Sequence, residues 1–111
     1  MAMKLQISEI LAKLKEFTGE GAVAKKVEWL KKNDYTSLVI CGITTNHCCE
    51  TTARMAGNMG YKVKFVLDAT RTFDFKDLKG NIVTAEDVYQ MTATNLNGEF
   101  ADVVMTSDIS I

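Results

Sequence analysis

Residues 37–68, SLVICGITTNHCCETTARMAGNMGYKVKFVLD, limit what this chain can fold into more than any other stretch. A short apolar run, Leu38-Val39-Ile40-Cys41, stops at Gly42. A polar turn, Thr44-Thr45-Asn46, follows, and a helix-compatible segment opens on His47-Cys48-Cys49. A second apolar run, 63–67, comes after Gly60 and ends at Asp68. Strand, loop, helix, strand is one βαβ unit, the crossover that parallel strands require. Its loop and helix start lie at the carboxyl end of the first strand, where open α/β sheets place their ligands. Two adjacent cysteines and the only histidine of the chain fall there.

With Asn46 as N-cap, Cys48 lies in the first helical turn. Unpaired N–H groups and the positive end of the dipole favour a thiolate there. The same N–H groups can hold the oxyanion formed when sulfur attacks a carbonyl. The competing reading makes Cys48 and Cys49 small buried apolar residues, as free cysteines often are. Cys41, inside a strand, is expected to be inert. Cys49 is expected to turn partly toward the core, leaving Cys48 the most reactive thiol.

The rest of the chain supplies elements around this unit. Ile7, Ile10, Leu11, Leu14 and Phe17 fall at helical spacing, and Thr18-Gly19-Glu20-Gly21 breaks the pattern. A second helix over Ala22–Lys32 buries Val23, Val27 and Leu30 and ends at Asn33-Asp34, leading into a strand over 37–41. The helix after His47 carries Cys48, Thr52, Met55 and Met59 on one stripe, with Ala53 and Ala56 allowing close approach to the sheet. Gly60 stops it, and the next strand covers 62–67. Asp68 then points into the cleft with Cys48 as a functional carboxylate, or else braces the following loop. Residues 71–83 read as a long loop with a hairpin around Lys79-Gly80-Asn81, and Phe73 and Phe75 can roof the cleft. Thr84 with Asp87 starts a helix that buries Val88, Met91 and Leu96. Gly98 ends it, and 101–105 is the last strand.

At 111 residues the chain reads as one small domain, 1–111, with a single core. A net charge of −1 gives no reason to expect nucleic acid or an anionic membrane as partner. No apolar run approaches a spanning helix, and Met1-Ala2-Met3-Lys4 does not open a signal peptide. Three cysteines, two of them adjacent, argue against a disulfide framework and for a reducing cytoplasm.

The run Gly42-Ile43-Thr44-Thr45-Asn46-His47-Cys48-Cys49-Glu50-Thr51-Thr52-Ala53-Arg54 resembles the nucleophile segment of the isochorismatase-like cysteine hydrolases, among them nicotinamidases and N-carbamoylsarcosine amidohydrolases. Asp68-Ala69-Thr70-Arg71-Thr72-Phe73-Asp74 and Asn95-Leu96-Asn97-Gly98-Glu99-Phe100-Ala101 resemble the same family. The resemblance implies that Cys48 is the nucleophile and that Thr45-Asn46 forms the turn carrying a cis peptide and the oxyanion-binding amides. It also implies a triad of Asp, Lys and Cys, of which only the cysteine is matched. Residues 1–28 are too few for three further strands with their crossovers. The resemblance thus covers about the C-terminal half of a member.

The expected fold is α/β: a truncated three-layer, Rossmann-like arrangement with a three-stranded parallel sheet. The strand over 38–41 is apolar throughout, as in a strand buried on both faces, and its bare outer edge calls for a cover. A homodimer supplies one; residues 1–7 folding over as a strand supply another. Three functions compete. The first is a small-molecule hydrolase of amides or esters using Cys48, with Asp68 or a group from another subunit assisting. The second is a metal-dependent hydrolase of esters or phosphoesters, with His47, Cys48 and Asp68 holding zinc and Cys49 beside them. The third is a non-catalytic oligomeric remnant.

Overall fold

The computed structural model describes residue 16 and residues 21–109; the helix expected over 7–17 and the edge cover expected from 1–7 lie outside the described residues. The chain divides into two compact units, Met1–Thr36 and Ser37–Ile111.

In the first unit, helix α1 spans Ala22–Lys32, as its periodicity requires. Gly21, at φ +76°, turns the chain into it. Lys31 and Lys32 stand in the last turn, where cations meet the negative end of the dipole. Asn33 closes the helix twice, its N–H donating to Trp29 O and Leu30 O and its Nδ2 to Trp29 O at 2.8 Å. Trp29 and Tyr35 stack across this closure with centroids 6.3 Å apart.

The second unit is an α/β layer. Strand β1 is Ser37–Ile43, helix α2 is Glu50–Asn58, β2 is Lys62–Arg71, β3 and β4 are Phe75–Lys76 and Ile82–Val83, helix α3 is Ala85–Leu96, and β5 is Asp102–Val104. Parallel strands in the order β1-β2-β5 make the main sheet, and β3 with β4 forms a separate antiparallel hairpin. The register sets Leu38 and Ile40 beside Val63 and Phe65, and Val39 beside Lys64. Phe65 is fully buried, as are Ala53 and Ala56 of α2 and Leu96 of α3. Two helices on one face follow from two right-handed crossovers stepping the same way along the sheet. The opposite face, with Ser37, Val39, Cys41, Lys62 and Lys64, is exposed.

β1 therefore departs from the sequence expectation. It runs on through Gly42 and Ile43, and it is not buried on both faces: Val39 is 59% and Ile43 63% exposed, and Cys41 is exposed as well. Strand periodicity sends alternate residues to opposite faces whatever their polarity. β2 likewise continues past Leu67 to Arg71. Its register against β1 jumps from Ile40–Phe65 to Gly42–Thr70, so that Cys41 alone faces residues 66–69.

Two turns work as read. Gly60, at φ +89°, ends α2, with its N–H on Gly57 O and Tyr61 N–H on Ala56 O, a closure suited to glycine. The Asp77 carboxylate accepts from Lys79 N–H and Asn81 N–H, each at 2.9 Å, and folds the hairpin around Gly80. The α3 start is capped by Thr84 Oγ1, which accepts from Asp87 N–H at 3.2 Å. Met91, expected inside, is 59% exposed; Thr92 takes the buried position at 1%.

Candidate active site

The chemistry begins where β1 stops. Gly42 adopts φ +129°, a region that disfavours side chains, and the Ile43–Thr44 peptide is cis. Residues Thr45–Cys49 then wind one wide turn before α2 begins at Glu50. Its width is set by Cys49 N–H, which donates five residues back to Thr44 O at 3.2 Å. Asn46 is not the N-cap; extended Thr44 stands in that position, and Cys48 lies in the wide turn rather than in the first α-turn. Asn46 has another partner: its Oδ1 accepts from Thr72 Oγ1 at 2.7 Å.

The turn sorts its residues sharply. Thr45 and Cys49, four apart, point inward and are 0% and 5% exposed, whereas His47 and Cys48 face solvent. The Cys49 thiol is pushed up to about 11, first by burial and then by the neighbouring Cys48 and Cys41 sulfurs. Cys49 is accordingly a neutral packing thiol, and it sits with Ala53 and Ala56 on the buried stripe of α2. The stripe expected at Cys48 and Thr52 is displaced by one residue. Thr52 instead donates its hydroxyl back to Cys48 O at 2.7 Å.

Buried Thr45 donates to Thr70 Oγ1 at 2.8 Å, and Thr70 donates in turn to Leu67 O at 2.8 Å. His47 meets the Phe75 ring edge-on at 5.3 Å, and Phe73 is 58% exposed. Beyond the turn, Glu50 binds Arg54 at 3.0 Å, and the Arg54 guanidinium lies 4.9 Å over the Phe100 ring. A cavity of about 310 Å³ opens between the turn and α3, lined by Asn46, Glu50, Asp87, Val88, Met91 and Asn95 among others.

Asp68 is engaged elsewhere. Its Oδ1 accepts both Thr106 N–H and Thr106 Oγ1–H at 2.7 Å, joining the end of β2 to the short turn Thr106–Asp108 after β5. The Thr106 hydroxyl is the main reason its carboxyl lies below the ordinary value, with Thr106 N–H and Arg71 adding to it. Tyr89 is half-buried beside a cavity of about 250 Å³ with Arg71 and Glu86, and burial raises its phenol. The zinc set His47, Cys48 and Asp68 is not assembled: among the described residues no three His, Cys, Asp or Glu side chains form a group that could hold a metal ion. The His47 ring is turned onto Phe75 and the Asp68 carboxylate onto Thr106. Among the described residues no carboxylate or ammonium group hydrogen-bonds the Cys48 thiol.

Thr70, Thr72 and Thr106 are the site residues that sequence reasoning passed over. Ending β2 at Leu67 hid the first two. Their hydroxyls at alternate positions just beyond an apolar run were the available signal.

Comparison with known proteins supplies the context. Residues 22–107 match the Isochorismatase domain family. The isochorismatase family protein YrdC of Bacillus subtilis is 37% identical over 82 residues, 74% of this chain and 44% of that protein. Nicotinamidase 3 of Arabidopsis thaliana is 38% identical over 77 residues, 69% of this chain and 33% of that protein. Among solved structures, a hydrolase of the isochorismatase family from Chromobacterium violaceum superposes with a TM-score of 0.71 at 37% identity, covering 83% of this chain and 46% of its own. A cysteine hydrolase from Pseudomonas syringae gives 0.68 at 34% identity, covering 73% and 38%. The chain thus spans less than half the length of these relatives.

Proposed function

The chain belongs to the isochorismatase family, and from that premise we propose that it hydrolyses a small amide or ester through the Cys48 thiol. The observation that carries the reading is the sorting within one turn: Cys49 is buried and held neutral, while Cys48 is presented to solvent at the carboxyl end of β1. In the proposed reaction Cys48 Sγ, its proton taken by a base, adds to the carbonyl carbon. The tetrahedral intermediate expels the amine or alcohol, which takes up that proton, and water then cleaves the thioester to acid and free thiol. Thr45 and Asn46 shape the turn that faces the oxyanion.

Asp68 enters this reading as a brace, supported by its two bonds from Thr106. The base is then a group brought to the open side of β1, which pairs only with β2 among the described residues. A second copy of the chain is the simplest carrier, and the outer edge of β1, without a strand partner among the described residues, supports such pairing. A positioned base is worth about 10²–10⁴-fold, so activity rises with self-association.

The test is a panel of small amides and nitrophenyl esters, assayed over a concentration range that sedimentation shows to span any association. Cys48→Ser loses turnover and Cys49→Ser keeps most of it. Chelator leaves the rate unchanged. Full turnover in Cys48→Ser overturns the assignment.

A further inference from the structure

The nucleophile turn is tied to the end of β2 at two points. Thr45 Oγ1 donates to Thr70 Oγ1 and Thr70 Oγ1 to Leu67 O, each at 2.8 Å, with both threonines fully buried. Thr72 Oγ1 donates to Asn46 Oδ1 at 2.7 Å. The two ties fall on consecutive residues of the turn, and their partners are Thr70, near the end of β2, and Thr72, just past it. We propose that Thr70 and Thr72 are positioning residues: their hydroxyls lock the 45–49 turn so that Cys48 stays presented and Cys49 stays buried. This rests on the proposed role of Cys48.

Three features point to positioning rather than filling. First, valine packs as well as threonine in a buried β position, yet Thr70 places a hydroxyl there, and a buried hydroxyl needs a partner. Second, the relay ends on Leu67, inside the stretch 66–69 that β1 matches with Cys41 alone. The register jump carries the end of β2 past its regular pairing and sets Thr70 opposite Gly42, three residues before Thr45. Third, no side chain caps the start of the turn: Thr44 is extended, and the closures there are backbone N–H groups on Thr44 O.

Removing the Thr70 hydroxyl leaves the Thr45 hydroxyl and Leu67 carbonyl without their partner, and the turn then samples arrangements that re-satisfy them. Small displacements of a reacting atom are enough to cost rate. Cys49 is a built-in reporter, because it reacts with an alkylating agent only when the turn opens.

The experiment compares Thr70→Val, Thr70→Ser and Thr72→Ala with wild type in the full chain. Iodoacetamide labelling with peptide mapping gives the Cys48 and Cys49 rates, hydrolysis gives kcat and KM, and urea unfolding gives global stability. Expected for Thr70→Val is Cys49 labelling about tenfold faster and kcat about tenfold lower, with KM within about twofold. Thr70→Ser restores both, and Thr72→Ala moves both in the same direction. Unchanged Cys49 protection in Thr70→Val and Thr72→Ala overturns the proposal, as does a Thr70→Ser variant no better than Thr70→Val. A Thr70→Val chain that does not fold leaves Thr72→Ala and Thr70→Ser to decide by the same readouts. The labelling readout needs no turnover, so loss of the Cys48 hydrolase reading is seen separately, as full turnover in Cys48→Ser.

Discussion

Gly57→Ala is the sharpest test of how α2 is held against the sheet. A Cβ built on Gly57 would lie 2.6 Å from the Phe100 carbonyl oxygen and 3.0 Å from Phe100 Cα. Ordinary contact begins near 3.4 Å, so helix and loop must part by about 0.8 Å. Neither yields readily. The loop is pinned by Phe100 N–H and Ala101 N–H, both donating to Leu96 O, and by Gly98 N–H on Ala101 O. The helix is pinned by Ala53 and Ala56, which are fully buried. Overpacking of this kind costs about 1–3 kcal/mol, against a gain of up to about 1 kcal/mol from replacing a helical glycine by alanine. The net expectation is a loss of about 1–2 kcal/mol, or roughly 5–15 °C in Tm for a chain of this size. Thermal and urea unfolding measure it, with exposed Thr51→Ala on the same helix as the control that gains propensity without meeting a neighbour. A Gly57→Ala protein as stable as wild type would refute the close approach of α2 to Phe100.

Two further predictions concern pH. Cys49 keeps its proton in the folded chain up to about 11, against 9.0 for the free group, so the unfolded state releases a proton first as pH rises. Its contribution is complete below pH 9 and disappears by about pH 11. Urea titrations of Cys49→Ala should show a correspondingly shallower decline over that window. Asp68 behaves oppositely. Its lowered carboxyl, held by the Thr106 hydroxyl, stabilises the fold above the ordinary carboxylate range and ceases to do so as pH falls through the lowered value. Asp68→Ala should therefore be less stable than wild type at pH 7, with the gap narrowing as pH falls below the ordinary carboxylate range; a gap independent of pH would show that the Thr106 bonds do not act through the charge.

The βαβ unit was legible because its signals are local. Gly60 needs a left-handed conformation at a helix end, Thr84 and Asp87 sit at capping distance, and the runs 38–41 and 63–67 carry β-branched residues. What escaped the sequence depends on neighbours. Val39, Cys41 and Ile43 look like core residues until strand alternation places them on the sheet face that α2 and α3 do not cover. Cys48 and Cys49 are chemically identical in sequence. Their separation into exposed and buried thiols was expected, but its cause was not: a five-residue closure onto Thr44 places Cys48 in a wide turn rather than in the first α-turn. Asp68 follows the same rule. A carboxylate at the end of a parallel strand invites a catalytic reading, yet its partner, Thr106, lies 38 residues away and is reachable only once β5 is placed.

The open face and the candidate site are connected through β1. In an open parallel sheet a ligand sits in a crevice beyond the carboxyl ends of the strands. Cys48 follows β1, an edge strand with β2 as its single neighbour among the described residues. One wall therefore comes from β2 and its continuation: Thr70 and Thr72 tie down the turn, and Phe75 lies against His47. The other wall belongs to whatever pairs with the outer edge of β1. Val39 and Ile43 are apolar and exposed on the uncovered face of that same strand, so in the proposed assembly a copy that both pairs with the edge and overlies this face buries them as it walls the site. The hydrophobic gain of covering these side chains, about 1.5–3 kcal/mol for a fully buried Val or Ile, then favours the arrangement in which the thiol finds its base. Substitutions of Val39 and Ile43, remote from the reacting sulfur in sequence, are expected to act on catalysis through assembly.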